Sequence, residues 1–402
     1  MPGFEVFGDR EKQEISEVLE TGVLFRYEFG EQRQGIYKVR TFEENFARYV
    51  GAGYAQAVTS GTAALKVALK VLGVGPGDEV VTQGFTFVGT WEAILDIGAI
   101  PVFTEVDTTL NMDPADLEKK LTDRTKAIIP VHMLGSGARI DEIMAIADRC
   151  AIPVIEDVSQ AAGGKWRGSY LGTFGRCGAF SFGAVKTITT GEGGMVITDD
   201  EKTWRTMAEY HDHGHDHVPN PGGRAGEGRS FIGFNYRMME LQGAIGIAQL
   251  SRLDDILLAQ RKNKELLRQS VSRLPGVTFR TLVDEAGDSA TFLAFFLPNR
   301  ERAREVNRLL QDNGAGAISF AENKWHYYPN WEHLANGATT CSSGWPFRDR
   351  QGRQKVVYDP ENLSRSAAIM NRLLAYQVPV KLSRERLAQI DAAIEKVAAT
   401  LG

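Results

Sequence analysis

Lys186 interrupts a stretch of apolar and small residues, FSFGAVKTITTGEGGMVIT, that runs from residue 180 to residue 198. The pattern predicts two apolar strands joined by a glycine-containing loop, with the lysine at the exit of the first strand. Lysine is almost never fully buried without a partner. Lys186 is therefore either an exposed lysine at a hairpin end or a Schiff-base lysine. In the second case, desolvation or a nearby cation lowers its pKa and frees the amine to attack a carbonyl.

A Schiff-base cofactor with a pyridine ring needs further groups, and candidates for them follow other predicted strands. Asp157 closes an apolar run and could pair with a protonated ring nitrogen, which keeps the ring an electron sink. It could equally be the N-cap of the next helix. Gln160, one helical turn later, could bond a phenolic oxygen. Phe87 could stack on a ring face or simply belong to the core.

A third candidate feature is the sequence Ser60-Gly61-Thr62-Ala63, which lies between a short predicted strand and an amphipathic helix. The free N–H groups and the positive dipole end at a helix N-terminus form a ready phosphate site. The alternative is an ordinary Ser/Thr N-cap without a ligand.

The elements that would position these residues alternate between strand and helix from residue 79 to residue 157. Apolar, β-branched strands in such an order predict an α/β fold with a mostly parallel sheet covered by helices. Ligands bind beyond the carboxyl ends of the strands in these sheets. Because 402 residues exceed one ordinary core, we expect a large domain over 1–250 and a smaller α+β domain over 251–402.

Composition and charge exclude several classes of function. The net charge of −5 and the lack of a basic, aromatic-interleaved run argue against nucleic acid as a partner. No apolar run approaches the roughly 20 residues of a membrane span. The first residues do not resemble a signal peptide, and three widely spaced cysteines fit a reducing compartment. The sequence predicts a cytoplasmic enzyme with small-molecule substrates.

The run His211-Asp212-His213-Gly214-His215-Asp216-His217 has residue types that bind metals. In a strand, its four histidines would share one face. Gly214 and the following PNPGGRAGEG instead predict a loop. We therefore expect no metal, and we interpret the run as a polar loop that contacts substrate or another subunit.

Within that loop, His213 and His215 could bond sugar hydroxyls or a carboxylate. His326, which lies among aromatic residues, could do the same. Arg237 could bind a substrate carboxylate with its planar fork of donors, although surface arginines are common.

Five segments together resemble the DegT/DnrJ/EryC1/StrS family of fold-type I, pyridoxal-phosphate-dependent sugar aminotransferases. Their order and spacing match the family over almost the whole chain. The segments are SGTAAL (60–65), GDEVV with TFV (77–88), EDVSQAAGG (156–164), SFGAVKTITTGEGG (181–194) and GFNYRMMELQGAIGIAQL (233–250). The resemblance implies a seven-stranded, mostly parallel sheet and pyridoxal 5′-phosphate as the cofactor.

The resemblance also implies the catalytic groups. Lys186 would hold the cofactor as a Schiff base and later move a proton, and Asp157 would hold the pyridinium. Family dehydratases carry histidine at the lysine position, so Lys186 favours transamination. Asn235 would reach the cofactor phosphate of a neighbouring subunit, which implies a homodimer with shared active sites.

Further cofactor contacts follow from the same resemblance. Phe87 would stack on the ring and Gln160 would bond the cofactor's O3′. Thr62 and Ala63 would give backbone N–H groups to the phosphate, and Ser181 its hydroxyl.

Within the family, several segments look closest to enzymes that aminate a lipopolysaccharide sugar acid at C8, namely 8-oxo-3,8-dideoxy-manno-octulosonate. Members that act on nucleotide sugars usually carry a histidine–glutamine–tyrosine motif where this chain has Trp325-His326-Tyr327-Tyr328. The resemblance thus implies transfer from an amino acid, L-glutamate, to a keto or aldehyde sugar. A nucleotide-sugar aminotransferase, a fold-type I enzyme of another reaction class and a catalytically silent sensor remain alternatives.

Overall fold

The computed structural model describes residues 3–217, 226–348, 351–352 and 356–401. The strands are β1 Tyr54–Val58, β2 Glu79–Gln83, β3 Ile100–Thr104, β4 Thr125–Ile129, β5 Ile155–Asp157, β6 Lys165–Trp166, β7 Ser169–Tyr170, β8 Cys177–Ser181, β9 Gly194–Thr198, β10 Thr278–Phe279, β11 Phe292–Phe296, β12 Ile318–Ser319 and β13 Leu373–Gln377. The helices are α1 Asp9–Thr21, α2 Lys38–Val50, α3 Gly61–Val71, α4 Val88–Asp96, α5 Pro114–Lys120, α6 Ile140–Cys150, α7 Glu201–Tyr210, α8 Glu240–Leu250, α9 Leu253–Val271, α10 Arg300–Asp312, α11 Glu332–Ala335, α12 Ser364–Met370 and α13 Arg384–Leu401.

The main sheet has the strand order β1-β9-β8-β5-β4-β2-β3. Two blocks, β1-β9-β8-β5 and β3-β2-β4, are joined by parallel bridges from Ile128 to Val154 and from Val131 to Asp157. Only β9 runs against its neighbours; the other pairings are parallel. The predicted α/β fold with a mostly parallel, seven-stranded sheet is confirmed.

The strand pair β8 and β9 is buried on both faces, which is why its sequence is apolar without strict alternation. Phe180 and Met195 pack into a core on one side of the sheet with Phe42 of α2. Ala179 and Val196 pack into a core on the other side, against α3. Both ends of the loop 182–193 that carries Lys186 are therefore anchored in the core.

Helix α8 lies against α2 in close contact because glycines face that helix. A Cβ added at Gly243 would come within 2.5 Å of the backbone N of Val39, and one added at Gly246 within 2.6 Å of the Phe42 ring. Residues 233–250, the segment that resembles the family, therefore need small residues in α8 for its packing against α2, as well as in the loop before that helix.

A second, antiparallel sheet with the order β10-β11-β13-β12 lies wholly in residues 278–377. It packs with α9, α10 and α13 around its own apolar cluster. The division into 1–250 and 251–402 stays a prediction, although this sheet falls entirely within the second range. None of the helices in the described ranges is both long and apolar enough to cross a bilayer.

Candidate active site

A cavity of about 570 Å³ opens at the carboxyl ends of the main-sheet strands. Asp157 ends β5 and Ser181 ends β8, while Phe87 and Lys186 follow β2 and β8 within five residues. Parallel strands end at a common edge, so residues far apart in sequence meet there. The predicted residues that line the cavity are Gly61, Thr62, Phe87, Asp157, Gln160, Ser181, Lys186 and His326.

Lys186 lies in a turn in which its backbone N–H donates to the Gly183 carbonyl at 3.0 Å. Its own carbonyl accepts from the N–H of Gly3 at 2.9 Å, so the N-terminal segment braces the turn. Burial lowers the pKa of the Lys186 amine, while the carboxylates of Asp157 and Glu192 partly oppose the shift. A lowered pKa favours the unprotonated, nucleophilic amine.

Asp157 is 3% exposed, and both of its oxygens accept hydrogen bonds. Oδ2 accepts from the Thr90 hydroxyl at 2.9 Å, and Oδ1 from the backbone N–H of Ser159 at 3.0 Å. The Thr90 hydroxyl also lies 2.8 Å from that of Thr86. A carboxylate can accept both hydrogen bonds, and the ionised carboxylate is the form that can hold a pyridinium proton.

The neighbouring Glu156 anchors the end of β5 from the opposite side. Its carboxylate accepts from the N–H groups of Gly172, Phe174 and Gly175 at 2.7–2.8 Å. It also accepts from His132 Nε2 at 3.0 Å, since His132 Nδ1 is occupied as the acceptor from Ala138 N–H. This network fixes the backbone that aims Asp157 into the cavity.

The N-terminus of α3 forms the far end of the cavity. Ser60 is the N-cap, and its hydroxyl accepts from Ala63 N–H at 3.1 Å. A Cβ at Gly61 would lie 2.6 Å from Ser181 Cβ, so only glycine lets the Ser181 hydroxyl approach the helix end so closely. The cradle of N–H and hydroxyl donors at a dipole's positive end fits a phosphate.

A segment from the second half of the chain covers the mouth beside Phe87. Thr86 N–H donates to the His326 carbonyl at 3.0 Å, and Val88 N–H donates to the Trp325 carbonyl at 2.9 Å. The Phe87 ring stacks on Trp325 with centroids 5.9 Å apart and planes at 5°. Lys186 Nζ lies 6.0 Å from the Phe87 ring centroid.

His326 lines the same cavity, with its ring 5.4 Å from that of Phe87. Burial, and then the nearby Lys186 charge, lowers its pKa to about 4. Its imidazole is therefore neutral near pH 7. Nδ1 faces Asn323 Oδ1 at 3.1 Å and must donate to it, which makes Nε2 a hydrogen-bond acceptor.

Gln160 is buried, and its Oε1 accepts from Leu134 N–H at 3.1 Å. Leu134 has a positive φ of 53° in a tight turn. The Leu134 carbonyl is in turn contacted by the guanidinium of the buried Arg280. With Oε1 used as an acceptor, the amide NH₂ is the group available to a cofactor oxygen.

Other predicted site residues, all in the described part of the chain, do not line this cavity. Asn235 and His213 are exposed, and His215 is buried beside Glu227. Arg237 pairs with Asp212 and its guanidinium lies over the Phe25 ring. The cofactor and substrate roles of these residues stay predictions.

Sequence reasoning missed several residues that line the cavity, among them Thr90, Ser159 and Glu192. Thr90 belongs to the first turn of α4 and looks like an ordinary helix residue in the sequence. The one available signal was its distance of three residues from Phe87, because residues at that spacing share a helix face.

A buried amine with a lowered pKa, a buried carboxylate and a helix N-terminus that fits a phosphate line one cavity, as in a fold-type I, pyridoxal-phosphate-dependent enzyme. The model of the DegT/DnrJ/EryC1/StrS aminotransferase family matches residues 7–395, and the chain belongs to that family. It is an aminotransferase with pyridoxal 5′-phosphate as its cofactor.

Individual relatives agree with this assignment. The chain is 42% identical over 301 residues to the GDP-perosamine synthase of Caulobacter vibrioides, covering 73% of this chain and 78% of that protein. It is 39% identical over 282 residues to the spore coat polysaccharide biosynthesis protein SpsC of Bacillus subtilis, covering 68% and 69%. The crystal structure of an aminotransferase from Psychrobacter cryohalolentis superposes with a TM-score of 0.83 at 29% identity and covers 98% of both chains.

Proposed function

We propose that the protein transfers an amino group from L-glutamate to a keto or aldehyde sugar, with 8-oxo-3,8-dideoxy-manno-octulosonate as the acceptor. The observation that carries amino transfer is the location of Lys186 and Asp157 in one cavity, with the lysine pKa lowered by burial. The sugar-acid acceptor is supported by the segments that resemble C8-aminating members and by His326 in the cavity wall.

Different residues of the chain have different roles in the proposed reaction. Bound pyridoxal phosphate supplies an electron sink that stabilises negative charge on the carbon being deprotonated. Lys186 Nζ accepts that proton and returns it, because its lowered pKa keeps part of the amine unprotonated. Asp157, fixed by Thr90 and Ser159, holds the ring-nitrogen proton. The α3 N-terminus and Ser181 hold the phosphate.

Two chains together would complete the site. Asn235 is exposed, and the segment around it carries exposed apolar side chains: Phe231, Ile232, Phe234 and Met239 at 39%, 87%, 52% and 45%. Apolar patches of this kind mark interaction surfaces. We propose a homodimer in which Asn235 of each chain contacts the phosphate in the other. The three unpaired cysteines support a cytoplasmic location.

A nucleotide-sugar acceptor is the second candidate. It is favoured by the 42% identity to a protein named for a GDP-linked amino sugar. The two candidates differ in what the acceptor must carry, which is a carboxylate in one case and a diphosphonucleoside in the other.

The reverse half-reaction distinguishes them. Cofactor-loaded protein is mixed separately with 8-amino-3,8-dideoxy-manno-octulosonate and with GDP-perosamine, and the visible absorbance of the bound cofactor is followed. Loss of the band with the amino-octulosonate alone supports the proposal, and loss with GDP-perosamine alone supports the second candidate. If neither amine changes the band, both acceptors are wrong.

Two further measurements test the reaction class. L-glutamate should give one equivalent of 2-oxoglutarate per site in a single turnover, and its absence would contradict the donor. Lys186→Ala should abolish this reaction, whereas Lys126→Ala, which removes an exposed lysine on β4, should retain it. Turnover in Lys186→Ala at the wild-type rate would overturn the role of Lys186.

A further inference from the structure

Three side chains that follow α7 converge away from the cavity at Lys186. Asp212, His215 and His217 each offer one ligand-type atom, and these atoms lie within 4.8 Å of one another. His215 Nδ1 and His217 Nδ1 are 3.0 Å apart, and Asp212 Oδ2 is 3.8 Å from His215 Nδ1.

The position of the ring proton on each imidazole follows from the group that its Nε2 atom contacts. His217 Nε2 contacts the Ala208 carbonyl at 2.9 Å, and His215 Nε2 contacts the Glu227 carboxylate. Carbonyls and ionised carboxylates only accept hydrogen bonds. Both Nε2 atoms must therefore carry the ring proton, and in neutral rings the two Nδ1 atoms present lone pairs to each other at 3.0 Å. That arrangement needs a positive charge between them.

The charge is either an additional proton or a cation. Asp212 Oδ2 lies 3.8 Å from His215 Nδ1, and this third ligand-type atom beside the two nitrogens favours the cation. Neutral imidazole is the form that binds metal ions.

We propose that Asp212 Oδ2, His215 Nδ1 and His217 Nδ1 bind a divalent transition-metal ion of the Zn²⁺ type. Ligand atoms at about 2.0–2.1 Å around a tetrahedral ion lie roughly 3.3 Å from one another. The distances of 3.0 and 3.8 Å from His215 Nδ1 to the other two side chains lie on either side of that value, and Asp212 Oδ2 lies 3.9 Å from His217 Nε2. Two imidazoles with one carboxylate select zinc, cobalt or nickel over magnesium or calcium.

Each ligand also has an outer partner that orients it. Glu227 holds His215, the Ala208 carbonyl holds His217, and Arg237 contacts Asp212 Oδ1. Metal-binding histidines almost always donate their second N–H to a carboxylate or carbonyl in this way. The carboxylates of Asp212 and Glu227 and the guanidinium of Arg237 leave one net negative charge, which favours a dication.

This proposal departs from the expectation of no metal, which rested on the loop-like sequence. The segment is indeed a loop, but His213 and Gly214 have positive φ values of 57° and 74°. That turn brings His215 back beside Asp212. The backbone of Asp212 also pairs with Asn235, so an ion here would stiffen the segment that carries Asn235.

The test uses the untagged protein with its cofactor bound, in the oligomeric state in which it is isolated. The protein is treated with EDTA and dialysed before the titration. Titration with Co²⁺, followed by its d–d absorption bands and then by displacement with Zn²⁺, should show one equivalent per chain. His215→Gln and His217→Gln should each weaken binding by about 100-fold or more, and Glu227→Gln by about 10- to 100-fold. His213→Gln, which removes an exposed histidine of the same run, is the matched control and should bind as the wild type does.

Two results would overturn the site. One is wild-type protein that takes up no stoichiometric Co²⁺ or Zn²⁺, which would mean that the rings share a proton. The other is equal loss of binding in His213→Gln and His215→Gln. Circular dichroism checks that each variant is folded, and the wild-type titration decides even if one variant is not. The readout is metal content, so it is independent of amino transfer.

Discussion

The hydroxyl of Thr90 donates to Asp157 Oδ2 at 2.9 Å and so links the first turn of α4 to the carboxylate at the end of β5. Hydrogen bonds to charged groups contribute about 1.5–3 kcal/mol. We expect Thr90→Val to lower kcat/KM by roughly 10- to 100-fold, because Asp157 in its proposed role would then hold the ring proton less firmly.

Conservative variants separate this effect from lost packing. Thr90→Ser keeps the hydroxyl and should restore most of the activity. Thr82→Val removes another buried hydroxyl, bonded to the Ile129 carbonyl at 2.9 Å, and should leave kcat/KM nearly unchanged. Equal losses in Thr90→Val and Thr82→Val would argue against the link.

Gly61 leaves room between the α3 N-terminus and Ser181, where we propose that the cofactor phosphate binds. A Cβ there would meet Ser181 Cβ at 2.6 Å, and overpacking of this kind costs about 1–3 kcal/mol. Gly61→Ala should weaken cofactor binding by roughly tenfold or more, as measured by fluorescence titration of the apoprotein. Gly75→Ala, where no atom lies within 4 Å of the added Cβ, is the control. Unchanged cofactor affinity in Gly61→Ala would contradict the cradle.

The buried pair of Arg33 and Glu240 ties the segment between α1 and α2 to the start of α8. Arg33 donates to Glu240 Oε1 at 3.1 Å and to the Tyr27 carbonyl at 3.1 Å, and Val39 N–H donates to Glu240 Oε2 at 3.1 Å. Removing one member of a buried pair leaves an uncompensated charge. Arg33→Met should lower the free energy of unfolding by about 3–5 kcal/mol in urea titrations.

A double variant tests whether the charge is the cause. Arg33→Met combined with Glu240→Gln should recover part of the loss, because no buried carboxylate is left unpaired. Arg48→Met, which changes an exposed arginine on α2, should shift stability by less than about 0.5 kcal/mol. The destabilisation by Glu240→Gln alone is measured as well. If the double variant is less stable than Arg33→Met by that same amount, the two residues are not coupled.

His326 should make stability depend on pH. Its pKa is about 4 in the folded protein, below the ordinary value of 6.5, so the unfolded chain binds more protons between these values. Stability therefore falls as pH drops from 6.5 towards 4, and at pH 5 the loss is about 2 kcal/mol. His326→Gln removes this titration. The free energy of unfolding of the variant minus that of the wild type should therefore be larger at pH 5 than at pH 7.5 by the same amount.

Urea unfolding at the two pH values measures the difference. His333→Gln, which removes an exposed histidine, serves as the control for loss of an imidazole. A difference between wild type and His326→Gln that is the same at pH 7.5 and pH 5 would contradict the prediction.

Local pattern predicted much of the fold. Apolar residues at helical spacing predict helices over residues 9–21 and 140–150, and α1 and α6 have these bounds. The run EVVTQGFTFV (79–88) predicts one strand, but β2 ends at Gln83 and α4 begins at Val88. The backbone of residues 86–88 pairs instead with residues 325–326, a partner that no local pattern reveals.

The sequence by itself determined the order of strands and helices and the residues able to do the chemistry, namely Lys186 and Asp157 at the ends of apolar strands. Apolar periodicity and strand ends are local properties, so they can be read without a structure. Only the tertiary structure decided that Thr90 donates to Asp157 and that residues 86–88 pair with residues 325–326. Those contacts depend on distances between segments that the chain brings together only when it folds.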